Sequence, residues 1–325
     1  MIISASRRTD LPAYYSRWFF ARLREGDVLV RNPVNPRQVS RVSLSPQAVD
    51  GFVFWTKNPG PMLPDLDQLP DCPYYFQITL TPYGPEVEPR LFPKKKEILS
   101  AICQLSRRIG PERIVWRYDP VFLTGDYSVD FHKKAFSQLA RALRGRSFRC
   151  MISFLDWYGP MEKRMAPLSA RPPEEAEMPE LAAAFGQAAR GNGMEIFTCA
   201  EAADLSSYGI GHGCCIDQTL LEQIGGRPLS LHKDRGQRPA CGCVQSVDIG
   251  AYDSCPAGCL YCYADHGPGR LRKNLAAYDP LSPLLCGSLR PEDTVRDRRT
   301  GSNQNGQLSW FTKNSVISKG REGKV

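Results

Sequence analysis

Short apolar runs recur through the first two hundred positions, and between them apolar residues return at helical spacing. The runs are 2–4, 51–55, 74–80, 113–116, 150–154 and 195–198. Each is strand-length and largely apolar on both faces, as strands inside a parallel sheet are. The stretches between them predict helices. Residues 13–24 set Tyr14, Trp18, Phe19 or Phe20, and Leu23 on one face, and residues 96–108 repeat Ile98, Ile102 and Leu105. Residues 128–143 carry Phe131, Ala135, Leu139 and Ala142 behind a Ser128 or Asp126 cap, and Pro179 opens a fourth helix with Leu181, Phe185 and Ala188. Strand–helix alternation implies an α/β fold with a parallel sheet and right-handed crossovers. Six such units can close into a partial barrel or lie open as a doubly wound sheet, and periodicity does not choose between them.

After Ala200 the rhythm fades and Gly, Cys, Pro and charged residues take over. The expected organisation is therefore an α/β barrel-like domain at 1–205, a cysteine-rich metal-binding extension at 206–290, read as irregular through 208–265, and a basic, disordered tail at 291–325. The 325 residues are 42% hydrophobic, enough for a sizeable core. No apolar run approaches the ~18 residues of a spanning helix. Met1 is followed only by Ile2-Ile3 and then Arg7-Arg8, which is not a secretory pattern. The expectation is a cytoplasmic protein with no membrane partner. The net charge of +8 suggests nucleic acid, but eleven basic against five acidic residues from Pro268 onward leave the body only slightly positive. The body shows no stripe that would track phosphates, which argues against a nucleic-acid partner.

Chemistry in parallel α/β folds gathers at the carboxyl ends of the strands. There the sequence places Arg7, Arg8 and Asp10 after the first run, Lys57 after the second, Arg117 and Asp119 after the fourth, Asp156 after the fifth and Glu201 after the sixth. A rim of both signs suits a zwitterionic or carboxylate-bearing small molecule. Lys57 and the arginines would take carboxylate or phosphate groups, and the acids amines or ribose hydroxyls. No Walker loop and no Gly-x-Gly-x-x-Gly follows the first run. Of the four histidines, His132 falls on a predicted helix and is expected at the surface; no catalytic residue is assigned.

Twelve cysteines in a reducing compartment point to metal or redox chemistry. Cys72, Cys103 and Cys150 stand singly and read as packing. The informative stretch is Cys255-Pro-Ala-Gly-Cys259-Leu-Tyr-Cys262. Three thiolates on one compact loop can each take one iron of a [4Fe–4S] cluster, with Gly258 letting the backbone bend and a fourth iron left open. Cys214, Cys215, Cys241 and Cys243 precede the loop and could supply a fourth ligand, a second cluster or a zinc site. A zinc ion on Cys241, Cys243, Cys259 and Cys262 is the competing reading.

The loop, with Tyr261 before its third cysteine, resembles that of radical S-adenosylmethionine enzymes. The resemblance implies a partial (βα)6 TIM-like barrel with a C-terminal cysteine-rich iron–sulfur extension. It also implies S-adenosylmethionine on the open iron, its cleavage to a 5′-deoxyadenosyl radical, and an electron donor such as a flavodoxin or ferredoxin. Residues 1–290 are similar to the bacterial domain-of-unknown-function 1848 family at 3–10, 28–33, 54–59, 76–84, 116–120 and the loop. That family supplies no substrate. In the radical enzymes the loop follows the first strand; here it follows all six, and their glycine-glycine-acidic motif is not recognisable. Three functions follow: a radical-type iron–sulfur enzyme of unknown substrate, a non-catalytic iron–sulfur or zinc module with a sensing or structural role, and a nucleic-acid binding or repair protein, for which only the basic tail speaks.

Overall fold

The computed structural model of the chain describes residues 1–298 and 303. In chain order the elements are β1 (Ile2–Ala5), α1 (Leu11–Tyr14), α2 (Ser16–Glu25), β2 (Asp27–Arg31), β3 (Gln38–Ser43), β4 (Gly51–Thr56), β5 (Tyr74–Thr79), α3 (Lys95–Ile109), β6 (Ile114–Val121) and α4 (Val129–Ala142). They continue with β7 (Arg149–Phe154), α5 (Gly159–Met165), α6 (Met178–Gly191), β8 (Glu195–Cys199), β9 (Ile210–Gly213), α7 (Gln218–Gly225), β10 (Val247–Asp248), α8 (Pro268–Ala276) and β11 (Thr294–Asp297). Eight strands form one sheet in the order β10-β1-β4-β5-β6-β7-β8-β9, every pair parallel. A smaller sheet, β11-β3-β2, stands beside it. The fold is α/β around a large parallel sheet, and among the described residues no helix is long and apolar enough to cross a membrane.

The six expected runs are β1, β4, β5, β6, β7 and β8. They are largely apolar because both sheet faces are covered. Ile3, Phe52, Phe54, Phe76, Ile78, Trp116 and Ile152 face the helices, where Trp18, Phe19, Ile98, Ile102, Phe136 and Phe185 meet them. Ring contacts fix the register of this layer, Phe54 on Phe76 at 4.7 Å and Phe136 on Phe185 at 4.3 Å. Alternate residues point the other way, as strand geometry requires. There Ile2, Val53, Tyr75, Val115 and Met151 pack against Cys215, Ile216, Leu221, Cys241 and Cys243.

Three expectations need correction. The stretch 208–265 is not irregular throughout. It adds β9 to β8 and β10 to β1, and its middle covers the second sheet face. The β9 sequence Ile-Gly-His-Gly carries no strand signal. Glycine is there for proximity: a Cβ on Gly213 would sit 2.7 Å from that of Phe197. The tail is ordered at its start, where Thr294–Asp297 pairs with β3 and Asp293 forms a forked ion pair with Arg31 at 2.7 Å; residues 299–302 and 304–325 lie outside the described residues. His132 is buried, not superficial. The buried stripe of α4 is His132, Phe136 and Ala140, one position on from the expected face. Its ring bridges Tyr118 Oη at 2.7 Å and the Phe122 carbonyl oxygen at 2.8 Å, and burial lowers its pKa to about 4.

Candidate functional site

The two-residue strand β10 brings the cysteine loop to the carboxyl edge of the sheet. Asp248 at its end accepts hydrogen bonds from Ser4 Oγ (3.1 Å), Ser6 Oγ (2.5 Å) and the backbone N–H groups of Arg7 (2.8 Å) and Gly250 (3.0 Å). The chain then passes so near β1 that a Cβ on Gly250 would sit 2.6 Å from that of Ser6. Beyond it the loop is clamped from several sides. Arg164 of α5 donates to the carbonyls of Leu260 (3.1 Å), Asp265 (2.7 Å) and Cys262. Arg90 donates to that of Pro256 (2.8 Å), Tyr15 to that of Ser254, and the Leu260 N–H to that of Val87 (3.1 Å). Gly258 takes a φ of +75°, a left-handed turn that a side chain would disfavour.

Burial pushes all three loop thiols up. Cys259 rises to about 12 although Lys57 pulls it down, Cys255 is raised further with Asp10 beside it, and Cys262 is raised. Without a metal these are protonated thiols; a cation must displace the protons for them to act as ligands. The three lie within electrostatic reach of one another, yet no sulfur–sulfur hydrogen bond joins them among the described residues. Among those residues, no group of three or more His, Cys, Asp or Glu is arranged to hold a metal ion as it stands. One zinc ion needs its ligands converged within about 2.3 Å of a point, whereas an iron–sulfur core holds its thiolates apart around itself.

Lys57 links this loop to the rim. Its ammonium donates to Tyr261 Oη at 2.5 Å and to Glu88 at 3.1 Å, and lies 4.9 Å from the Tyr261 ring centre. Glu88 also accepts from Thr81 at 2.7 Å and from Tyr261, and pairs with Lys95 at 3.1 Å. Burial would raise its carboxyl, but Lys57, Lys95 and the two hydroxyls outweigh burial and hold it at about 2. Asp10 caps α1, accepting from the N–H groups of Ala13 (3.0 Å) and Lys57 (2.7 Å), and burial lifts it to about 6.

A second group of rim residues surrounds Trp55. The guanidinium of Arg117 lies 5.2 Å from its ring centre and that of Arg7 5.9 Å. Arg117 pairs with Asp119, which also accepts from Ser153. Burial raises the Asp119 carboxyl, and Arg117 with Ser153 brings it below its usual value. Trp55 Nε1 and Thr9 Oγ1 are buried without a hydrogen-bond partner.

The remaining rim residues are placed less centrally. Arg8 stacks on Tyr252 at 5.1 Å, Asp156 turns outward to an ion pair with Arg238, and Glu201 accepts from the Phe154 N–H at 2.8 Å. Cys241 and Cys243 are not at the loop; among their ionisable neighbours are each other, Cys199, Cys214, Cys215 and Arg7. Sequence reasoning did not single out Glu88, Lys95, Ser153, Asp248 or Cys199. Of these only Glu88 carried a hint, a carboxylate set between Val87 and Leu91.

Residues 2–264, a span that ends just past the loop, match the family described as Domain of unknown function (DUF1848). No curated protein and no solved structure matches the chain.

Proposed function

The chain belongs to the DUF1848 family, and from that premise we propose that it is an iron–sulfur protein of the radical S-adenosylmethionine type, with a [4Fe–4S] cluster on Cys255, Cys259 and Cys262. In this reading the large sheet acts as a partial (βα)6 barrel, the cysteine-rich extension closes over its carboxyl edge, and an unknown small-molecule substrate enters there. The observation that carries it is the arrangement of the loop: Cys259 buried and Cys255 and Cys262 half-buried, on a clamped turn, beside the Lys57 ammonium.

The residues present fit such a group. Lys57 offsets thiolate charge at Cys259, and Arg164 and Arg90 fix the loop through its carbonyls. Held there by Cys255, Cys259 and Cys262, a cluster would supply low-potential electrons to a bound cofactor. Arg7 and Arg117 flank Trp55 and present positive charge to a carboxylate. Glu88 holds Lys57 charged and in place. The reading requires an electron donor such as a flavodoxin or ferredoxin and a cytoplasmic setting.

The test is iron, sulfide and zinc content of anaerobically purified protein, wild type beside Cys259→Ala, with EPR of the reduced sample before and after S-adenosylmethionine. The expected result is about four irons and four sulfides per chain, lost in the variant, and a signal perturbed by the cofactor. Zinc without sulfide, lost in Cys259→Ala, would overturn it in favour of a structural site.

A further inference from the structure

We propose that Cys199, Cys215, Cys241 and Cys243 form a second metal site, built for a single thiophilic divalent ion of the zinc type. It does not depend on the loop cysteines or on the reading given to them. Cys199 ends β8, Cys215 follows β9, and Cys241 and Cys243 lie in the stretch before β10. The fold gathers all four on the sheet face that Ile216 and Leu221 also cover, Cys215, Cys241 and Cys243 buried and Cys199 half-buried.

Cys199 Sγ lies 2.8 Å from Cys215 Sγ, and the Cys243 side chain interacts with those of both Cys215 and Cys241. The backbone N–H groups of Cys215 and Ile216 each donate to Cys243 Sγ at 3.3 Å. Paired N–H···S bonds are the way a backbone steadies a ligating thiolate and tunes the metal on it. Arg117 Nη1 stands 2.7 Å from Cys215 Sγ, anchored behind by Asp119. An ion with four thiolates is a dianion, and a buried guanidinium at its edge offsets that charge. Val115, Met151, Ile216 and Leu221 close the rest of the surroundings. Four thiols pressed together in an apolar pocket are poor hydrogen-bonding partners for one another, since S–H is a weak donor. A soft cation among them replaces those contacts with strong ones.

The spacing selects a single ion. Zinc–sulfur bonds of about 2.3 Å in a tetrahedron set thiolates roughly 3.8 Å apart. Cys199 and Cys215 must therefore part by about 1 Å on loading; as they stand, no group of three or more such side chains among the described residues has ligand geometry. A cluster core would need a far wider opening. The balance is one divalent ion plus four thiols giving a four-thiolate complex of charge −2 and four released protons. The consequence is structural: the ion fastens the 214–244 stretch and the end of β8 to one point on the sheet.

The test uses cobalt(II) as the probe, on a Cys255→Ala/Cys259→Ala/Cys262→Ala variant with native circular dichroism. The expected result is about one cobalt per chain with thiolate-to-cobalt charge-transfer absorption, abolished by adding Cys199→Ala and Cys243→Ala. On wild-type protein, alkylation followed by mass spectrometry gives an independent readout. Cys199, Cys215, Cys241 and Cys243 should be protected with zinc bound and become reactive after chelation. No cobalt absorption, absorption that survives loss of Cys199 and Cys243, or a native Cys199–Cys215 disulfide in place of metal would overturn the proposal. Loss of iron and sulfide in Cys259→Ala with retention of cobalt binding separates this site from the loop, so either reading can fail alone.

Discussion

Glu88 shows how a single buried carboxylate can organise the edge of the sheet. Burial opposes its charge, and two ammoniums with two hydroxyls reverse that, holding it at about 2 against an ordinary 4.5. The folded carboxyl releases its proton more readily than the unfolded one. The stability it contributes is therefore complete above pH 4.5 and is lost as the pH falls toward 2. The size is on the order of 3 kcal/mol. Glu88→Gln keeps the shape but leaves Lys57 and Lys95 without their carboxylate. It should cost about 3–5 kcal/mol at neutral pH, with the gap to wild type narrowing below pH 4.5. Urea unfolding at pH 7 and pH 4 reads both effects, beside the exposed Glu180→Gln, which should stay within about 0.5 kcal/mol. An unchanged midpoint for Glu88→Gln at pH 7 would remove this account of the site. The rule that polar groups collect at strand ends does reach the edge where Arg7, Asp10, Lys57, Arg117 and Asp119 stand. It does not reach Glu88, nor separate Asp156, because the direction of a side chain past a strand end is set by its neighbours in space.

At the scale of elements, what the sequence reveals depends on how much apolar surface an element carries. β1, β4, β5, β6, β7 and β8 are legible because residues such as Phe52-Val53-Phe54 are buried on both sides. β9 and β10 are silent. The first is half glycine and the second two residues long, and their pairing is dictated by partners far away in the chain. β10 depends on Asp248, which gathers four donors from the end of β1 and its own turn. Asp248→Ala removes that knot without touching the sheet's apolar layers. Amide exchange should therefore accelerate through residues 247–264, which carry the loop, while β5, β6 and β7 keep their protection. Uniform acceleration across the sheet would mean that Asp248 supports the core generally; no acceleration anywhere would mean that the loop clamps suffice without it.

At the scale of the whole chain, the division expected after residue 205 meets a sheet that continues through it. Ile2, Val53, Tyr75, Val115 and Met151 find their cover in residues 214–244, and the Cys215 carbonyl takes hydrogen bonds from Tyr75 Oη at 2.7 Å and Gln77 Nε2 at 2.8 Å. Composition marks a boundary there because the later segment supplies one face of a core it does not contain by itself. Uncovering five such side chains at about 1.5–3 kcal/mol each forfeits on the order of 10 kcal/mol. That equals the whole stability of a typical domain. A chain ending at residue 205 should therefore keep helical far-UV signal while losing near-UV fine structure and binding a hydrophobic dye, whereas the full chain keeps its near-UV signal and excludes the dye. If residues 1–205 alone gave the near-UV spectrum and dye exclusion of the full chain, the cysteine-rich stretch would be an appendage. Neither metal reading could then rest on its being built into the core.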